Sequence, residues 1–86
     1  MPLFLFAYND GMVIEFSGHA LHKLRERGIL KRIVEDVLSA PERVYQSHGK
    51  SVAYRKIGSR YLLVVHDRSE TIATVITAFW REDPNW

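Results

Sequence analysis

The chain contains no cysteine in its 86 residues. That excludes disulfides and any thiolate-held metal, and it fits a cytoplasmic home. Long hydrophobic runs are also missing. The start, MPLFLFAYNDG, is apolar, but it carries no basic leader and breaks at Asn9-Asp10-Gly11. It is too short to cross a bilayer or to act as a signal peptide, so no membrane partner is expected. An excess of one charge is lacking too: 12 Lys and Arg against 10 Asp and Glu leave a formal net charge of +2. A histone-like polycation is thereby excluded. There is no internal repeat, low-complexity tract or linker. One small domain over residues 1–86 is expected, with its core at about 12–80.

The charges are few but grouped. Lys23, Arg25, Arg27, Lys31 and Arg32 form one basic cluster, and Lys50, Arg55, Lys56 and Arg60 a second. Acids gather at Glu35-Asp36 and Glu82-Asp83. The basic clusters read either as solubilising charge or as a surface for a polyanion.

Leu3 to Tyr8 and Met12 to Phe16 are β-like runs around a turn signal, so a hairpin is expected. Alternatively Met12 is the initiator, and residues 1–11 are an extension the fold does not need. Ser17 suits an N-cap and Gly28 a left-handed C-cap for a helix from Gly18 to Arg27. Ala20, Leu21 and Leu24 fall on one side of it, with His19, His22, Lys23 and Glu26 on the other. A second helix, Leu30 to Ser39, ends at Pro41. Lys31 and Arg32 stand in its first turn, the wrong end for cations beside a helix dipole. That conflict is either tolerated or the mark of a functional compromise.

Strands are expected at Arg43 to Ser47, Ser51 to Ile57, Arg60 to His66 and Thr71 to Trp80. The order predicts an α+β fold: two N-terminal helices packed on an antiparallel sheet of four or five strands. The Gly58-Ser59 turn sets Ile57 opposite Arg60, Lys56 opposite Tyr61 and Arg55 opposite Leu62. An even-numbered Asp67–Glu70 loop would set His66 opposite Thr71 and Arg60 opposite Thr77. One face then collects Val52, Tyr54, Lys56, Tyr61, Leu63, Val65, Ile72, Ile76 and Ala78, and is expected under the helices. Arg55, Arg60, His66 and Thr77 share the other face with Leu62, Val64, Val75 and Phe79. A bulge would invert this assignment.

The string SGHALHKLRERGI, followed by VEDVLSAPERV, YRKIGSRYLLVV and VITAFW, resembles domain-of-unknown-function family 4258 over about Met12 to Trp80. That family looks related to RelE-type toxins and, more remotely, to colicin D and barnase-like ribonucleases. The resemblance implies a metal-independent endoribonuclease that attacks through the ribose 2′-hydroxyl, the toxin of a type II toxin–antitoxin pair. It implies RNA, free or ribosome-bound, and an antitoxin protein as partners. It also implies catalytic roles for His19, Arg60 and Thr77, and RNA contacts from Lys23, Arg27, Tyr54, Lys56 and neighbouring Arg55. Such chemistry needs titratable groups and cations but no cofactor. His19 and His22 stand at i and i+3 without a third ligand, so no metal site is assigned.

Each residue also has a plainer reading. His19 would cap its helix or bond a sheet edge, Arg27 would pair with a carboxylate or backbone near Gly28, and Thr77 would be a β-former. Tyr54 and Lys56 fall on the face assigned to the core, which conflicts with a role at the surface. Two other functions fit the same pattern: an RNA- or ribosome-binding module without chemistry, and a protein-interaction module using edge strands and Phe79/Trp80.

Overall fold

The computed structural model describes residues 12–82. The expected strand Leu3 to Tyr8 lies outside them. The described residues form β1 (Val13–Phe16), α1 (Gly18–Arg27), α2 (Lys31–Ser39), β2 (Arg43–Ser47), β3 (Lys50–Ile57), β4 (Arg60–Arg68) and β5 (Ile72–Arg81). No helix among them is long and apolar enough to cross a membrane.

Local chemistry explains the helix ends. The Ser17 hydroxyl accepts from the Ala20 amide at 3.0 Å, which satisfies a first-turn donor of α1. Gly28 closes α1 at φ 65°, with the Ile29 amide donating to the Leu24 carbonyl at 2.9 Å. A Cβ at Gly28 would meet nothing within 4 Å, so a substitution costs backbone strain alone. Gly28→Ala is therefore expected to lower the unfolding free energy by about 1 kcal/mol in urea denaturation. An unchanged midpoint would mean the left-handed cap is dispensable. By contrast α2 begins at Leu30, which offers no side-chain cap, and its first turn holds no acid.

The strands lie in the order β1-β5-β4-β3-β2. β2 to β5 form an antiparallel meander, but β1 runs parallel to β5, with Val13 opposite Ile72 and Phe16 opposite Val75. The sheet is thus mixed, and the expectation of an antiparallel sheet is corrected. The reason is topological. A hairpin partner for β1 would be antiparallel, whereas a strand reached through a helical crossover and a meander can arrive parallel.

The register across Gly58-Ser59 is as expected: Ile57 faces Arg60, Lys56 faces Tyr61 and Arg55 faces Leu62. The next register differs. β4 continues to Arg68, and a bulge between Val65 and His66 sets Val65 opposite Thr77 but His66 opposite Val75. His66 therefore does not face Thr71. Arg60 does not face Thr77 either, since the neighbouring Tyr61 faces Arg81.

The helix-covered face is also the reverse of the one expected. The core joins Ala20, Leu24, Ile29, Val34, Val37 and Leu38 of the helical layer to Ala53, Leu62, Val64, Ala73, Val75 and Ala78 of the sheet. Counting apolar residues favoured the Val52–Tyr54–Leu63 side. Close approach of a helix instead selects small residues, and Ala53, Ala73 and Ala78 lie in one buried cluster with both helices. The tyrosines are left on the opposite face.

Candidate nucleic-acid interface

The strand registers place side chains on that opposite face. Tyr54 is across from both Arg43 and Leu63, Tyr45 from Val52, and Leu63 from Phe79. Among the described residues no helix covers this side. Three half-buried tyrosines run diagonally over it. The Tyr45 and Tyr54 rings lie 6.4 Å apart, tilted by 59°, and Tyr54 and Tyr61 lie 5.9 Å apart, near edge-to-face at 74°. Such pairs hold each other's rotamers, so the rings form a fixed surface.

Cations border the ladder. Tyr61 has Lys56 as its cross-strand partner on β3 and Arg81 on β5. Directly opposed residues put their Cβ atoms about 5 Å apart on one face. Lys56, Tyr61 and Arg81 therefore make a row across three strands: cation, phenol, cation. Arg81 also lies over the Phe79 ring at 5.7 Å. The Lys56 backbone is pinned from the side, its amide donating to the Glu42 carboxylate at 2.8 Å. The arrangement offers aromatic surface for bases, cations for phosphates, and a phenol hydroxyl between two cations.

The residues expected from the sequence are divided by the sheet. Tyr54 and Lys56 belong to this face, which removes their conflict with the core. Arg55 is on the helix side, opposite Leu62. Arg60 is there too, its guanidinium 4.3 Å from the Trp80 ring centroid. Arg27, not His19, is the α1 residue that touches Thr77: it donates to the Thr77 hydroxyl at 3.1 Å and to the Ala78 carbonyl at 2.7 Å. These bonds fall just past Val75, where β1 stops pairing with β5. Arg27 thus joins the end of α1 to β5.

His19 sits exposed in the first turn of α1 and makes no hydrogen bond or ion pair among the described residues. Eight residues of helix, a rise of about 12 Å, separate it from Arg27. Lys23 and His22 both turn to Glu26, at 3.2 and 3.1 Å. Lys23, by hydrogen bond and charge, and then His22 hold the Glu26 carboxyl below its ordinary value. The polar face of α1 is thus partly self-neutralised.

Tyr45, Tyr61 and Arg81 were not among the residues singled out from the sequence. Alternation in YRKIGSRYL, with the correct Lys56–Tyr61 pairing, was the available signal for Tyr61. Arg81 was hidden because only the bulged register brings it beside Tyr61.

Fold and face together define a small α+β domain with one helix-covered side and one aromatic, cationic side. Residues 16–80 match the family described as Domain of unknown function (DUF4258), and the chain belongs to that family. No curated protein and no solved structure matches it.

Proposed function

We propose that the chain binds single-stranded RNA across the tyrosine face of its sheet. The observation that carries this reading is the Tyr45–Tyr54–Tyr61 ladder ending in the Lys56–Tyr61–Arg81 row. Unpaired bases stack on aromatic rings on open sheet faces, while Lys and Arg hold the backbone. Duplex RNA hides its base faces and fits such a platform poorly.

The same row supports a chemical role. Metal-independent cleavage needs a group that takes the 2′-hydroxyl proton, cations beside the phosphorane and a donor for the leaving 5′-oxygen. Tyr61 brings a phenol hydroxyl to the row, and Lys56 and Arg81 are its cations. The resemblance of the family to RelE-type toxins supports this endoribonuclease reading, and with it a cytoplasmic toxin restrained by an antitoxin.

Binding is tested with a fluorescent single-stranded oligoribonucleotide and its duplex. The single strand should bind more tightly, and log K should fall linearly with log salt as phosphate contacts release counterions. Tyr54→Ala should cost about 1–3 kcal/mol of affinity, the worth of one stacked base. Equal affinity for duplex and single strand, or binding indifferent to Tyr54, would remove the proposal.

A further inference from the structure

The helix layer carries a second surface, remote from the tyrosine face. A groove of about 410 Å³ between α1 and α2 is lined by Leu21, Leu24, Arg25, Ile29, Leu30 and Lys31. Leu24 and Ile29, 2% and 5% exposed, are its floor. Leu21 and Leu30, 38% and 54% exposed, are its walls. Leaving two leucines this open beside one another has no folding advantage, because each would gain by burial.

Charge at the groove is equally one-sided. Arg25 makes no ion pair or hydrogen bond among the described residues. Among the described residues Lys31 meets only the Phe16 ring, at 5.5 Å from its centroid. Arg32 follows in the same first turn of α2, where there is neither an acid nor a side-chain cap. Lys31 and Arg32 therefore stand at the positive end of α2, and Arg25 at the end of α1 adds a third cation, none of them in an ion pair among the described residues. Local helix physics disfavours the pair on α2, and it is the conflict already visible in the sequence.

We propose that this groove docks an acidic amphipathic helix of a partner protein. The partner's apolar stripe, at i and i+3 or i+4, would cover Leu21 and Leu30. Its flanking Asp and Glu would face Arg25, Lys31 and Arg32. Those carboxylates would supply the negative charge that the start of α2 lacks, so the unfavourable cations become favourable on binding. The leucine walls favour this occupant over a nucleic acid, which would use the cations but gain little from an aliphatic groove. The proposal does not depend on RNA binding at the other face.

The test uses the full chain and two synthetic amphipathic helices of about five turns. Both carry the same leucine stripe; one has a Glu-rich polar face and the other a Lys-rich one. The acidic peptide should bind and shift the backbone amide signals of Leu21, Arg25, Leu30 and Lys31. Leu30→Ser and Lys31→Glu should each weaken it about tenfold or more. Both positions are exposed, so the variants keep the fold, which retained amide dispersion will verify. RNA affinity at the tyrosine face should not change in Leu30→Ser. Failure of the acidic peptide to bind, equal binding of both peptides, or amide shifts centred on Tyr54 and Tyr61 would overturn the proposal. So would single-stranded RNA moving the groove signals in place of the peptide.

Discussion

Tyr61→Phe is expected to reduce RNA cleavage by two to four orders of magnitude while leaving RNA binding within a few-fold of wild type. The expectation follows from what the substitution removes. The ring stays, and with it the edge-to-face contact to Tyr54 and the surface on which a base stacks. Only the hydroxyl goes, and general acid–base groups contribute about 10²–10⁴ in rate. Lys56→Ala and Arg81→Ala should behave differently. Each removes a cation that would contact phosphate in both the ground state and the transition state. Each should therefore lower both affinity and rate, and reduce the salt slope of binding by about one. Cleavage of a single-stranded substrate with EDTA present is the assay, with His19→Ala and Arg60→Ala measured alongside. Full activity in Tyr61→Phe would end the role of the phenol. Loss of activity in His19→Ala or Arg60→Ala, with the three row variants active, would move the chemistry to the helix side of the sheet.

That comparison matters because the sequence supplied the local parts of this site but not their sides. Short-range chemistry was readable: Ser17 and Gly28 bound α1, Pro41 follows α2, and the Gly58-Ser59 turn fixes Lys56 opposite Tyr61. Each of these depends on residues only a few positions apart. The parallel pairing of β1 with β5 depends on strands more than fifty residues apart, and nothing in VIEF distinguishes a hairpin partner from a crossover partner. The bulge at Val65/His66 is similarly silent, because Thr-Val-Ile-Thr-Ala is uniformly β-forming and carries no glycine to mark an extra residue. The bulge adds one residue to a register already displaced by the longer β4, which pairs Arg68 with Ala73, and together they set Arg81 rather than Ile76 opposite Tyr61. Which face the helices cover was a question of size rather than polarity. Ala53, Ala73 and Ala78 held the answer, but they were outweighed by larger apolar neighbours on the other side.

The Leu62–Val64–His66 alternation places a titratable group in the core, and stability is expected to fall as pH is lowered through the region below about 6.5. His66 is fully buried on the helix side of β4, across from Ser51 and Val75, and its Nδ1 lies 3.2 Å from the Val64 carbonyl. Burial holds the imidazole below its ordinary value and Arg68 acts in the same direction; the Val64 carbonyl and Asp67 oppose them without prevailing. An imidazole whose folded pKa is depressed leaves the unfolded chain binding the extra proton first. Full stability is therefore present above the unfolded pKa near 6.5 and is lost as pH falls through the lower folded value. One proton limits the slope to about 1.4 kcal/mol per pH unit, and a domain of marginal stability responds measurably to even part of that slope. Glu26, also lowered, acts in the same direction but only below its ordinary carboxyl range, so the two windows separate. Urea denaturation from pH 8 to pH 5 is the measurement, on wild type and on His66→Phe, which keeps an aromatic ring of similar size without a proton to gain. The wild-type curve should slope down below pH 6.5 and the variant should be flat there. Should His66→Phe not fold, direct NMR titration of the His66 ring decides the matter, because an imidazole that titrates at or above 6.5 in the folded chain would leave the core without an acid-sensitive group.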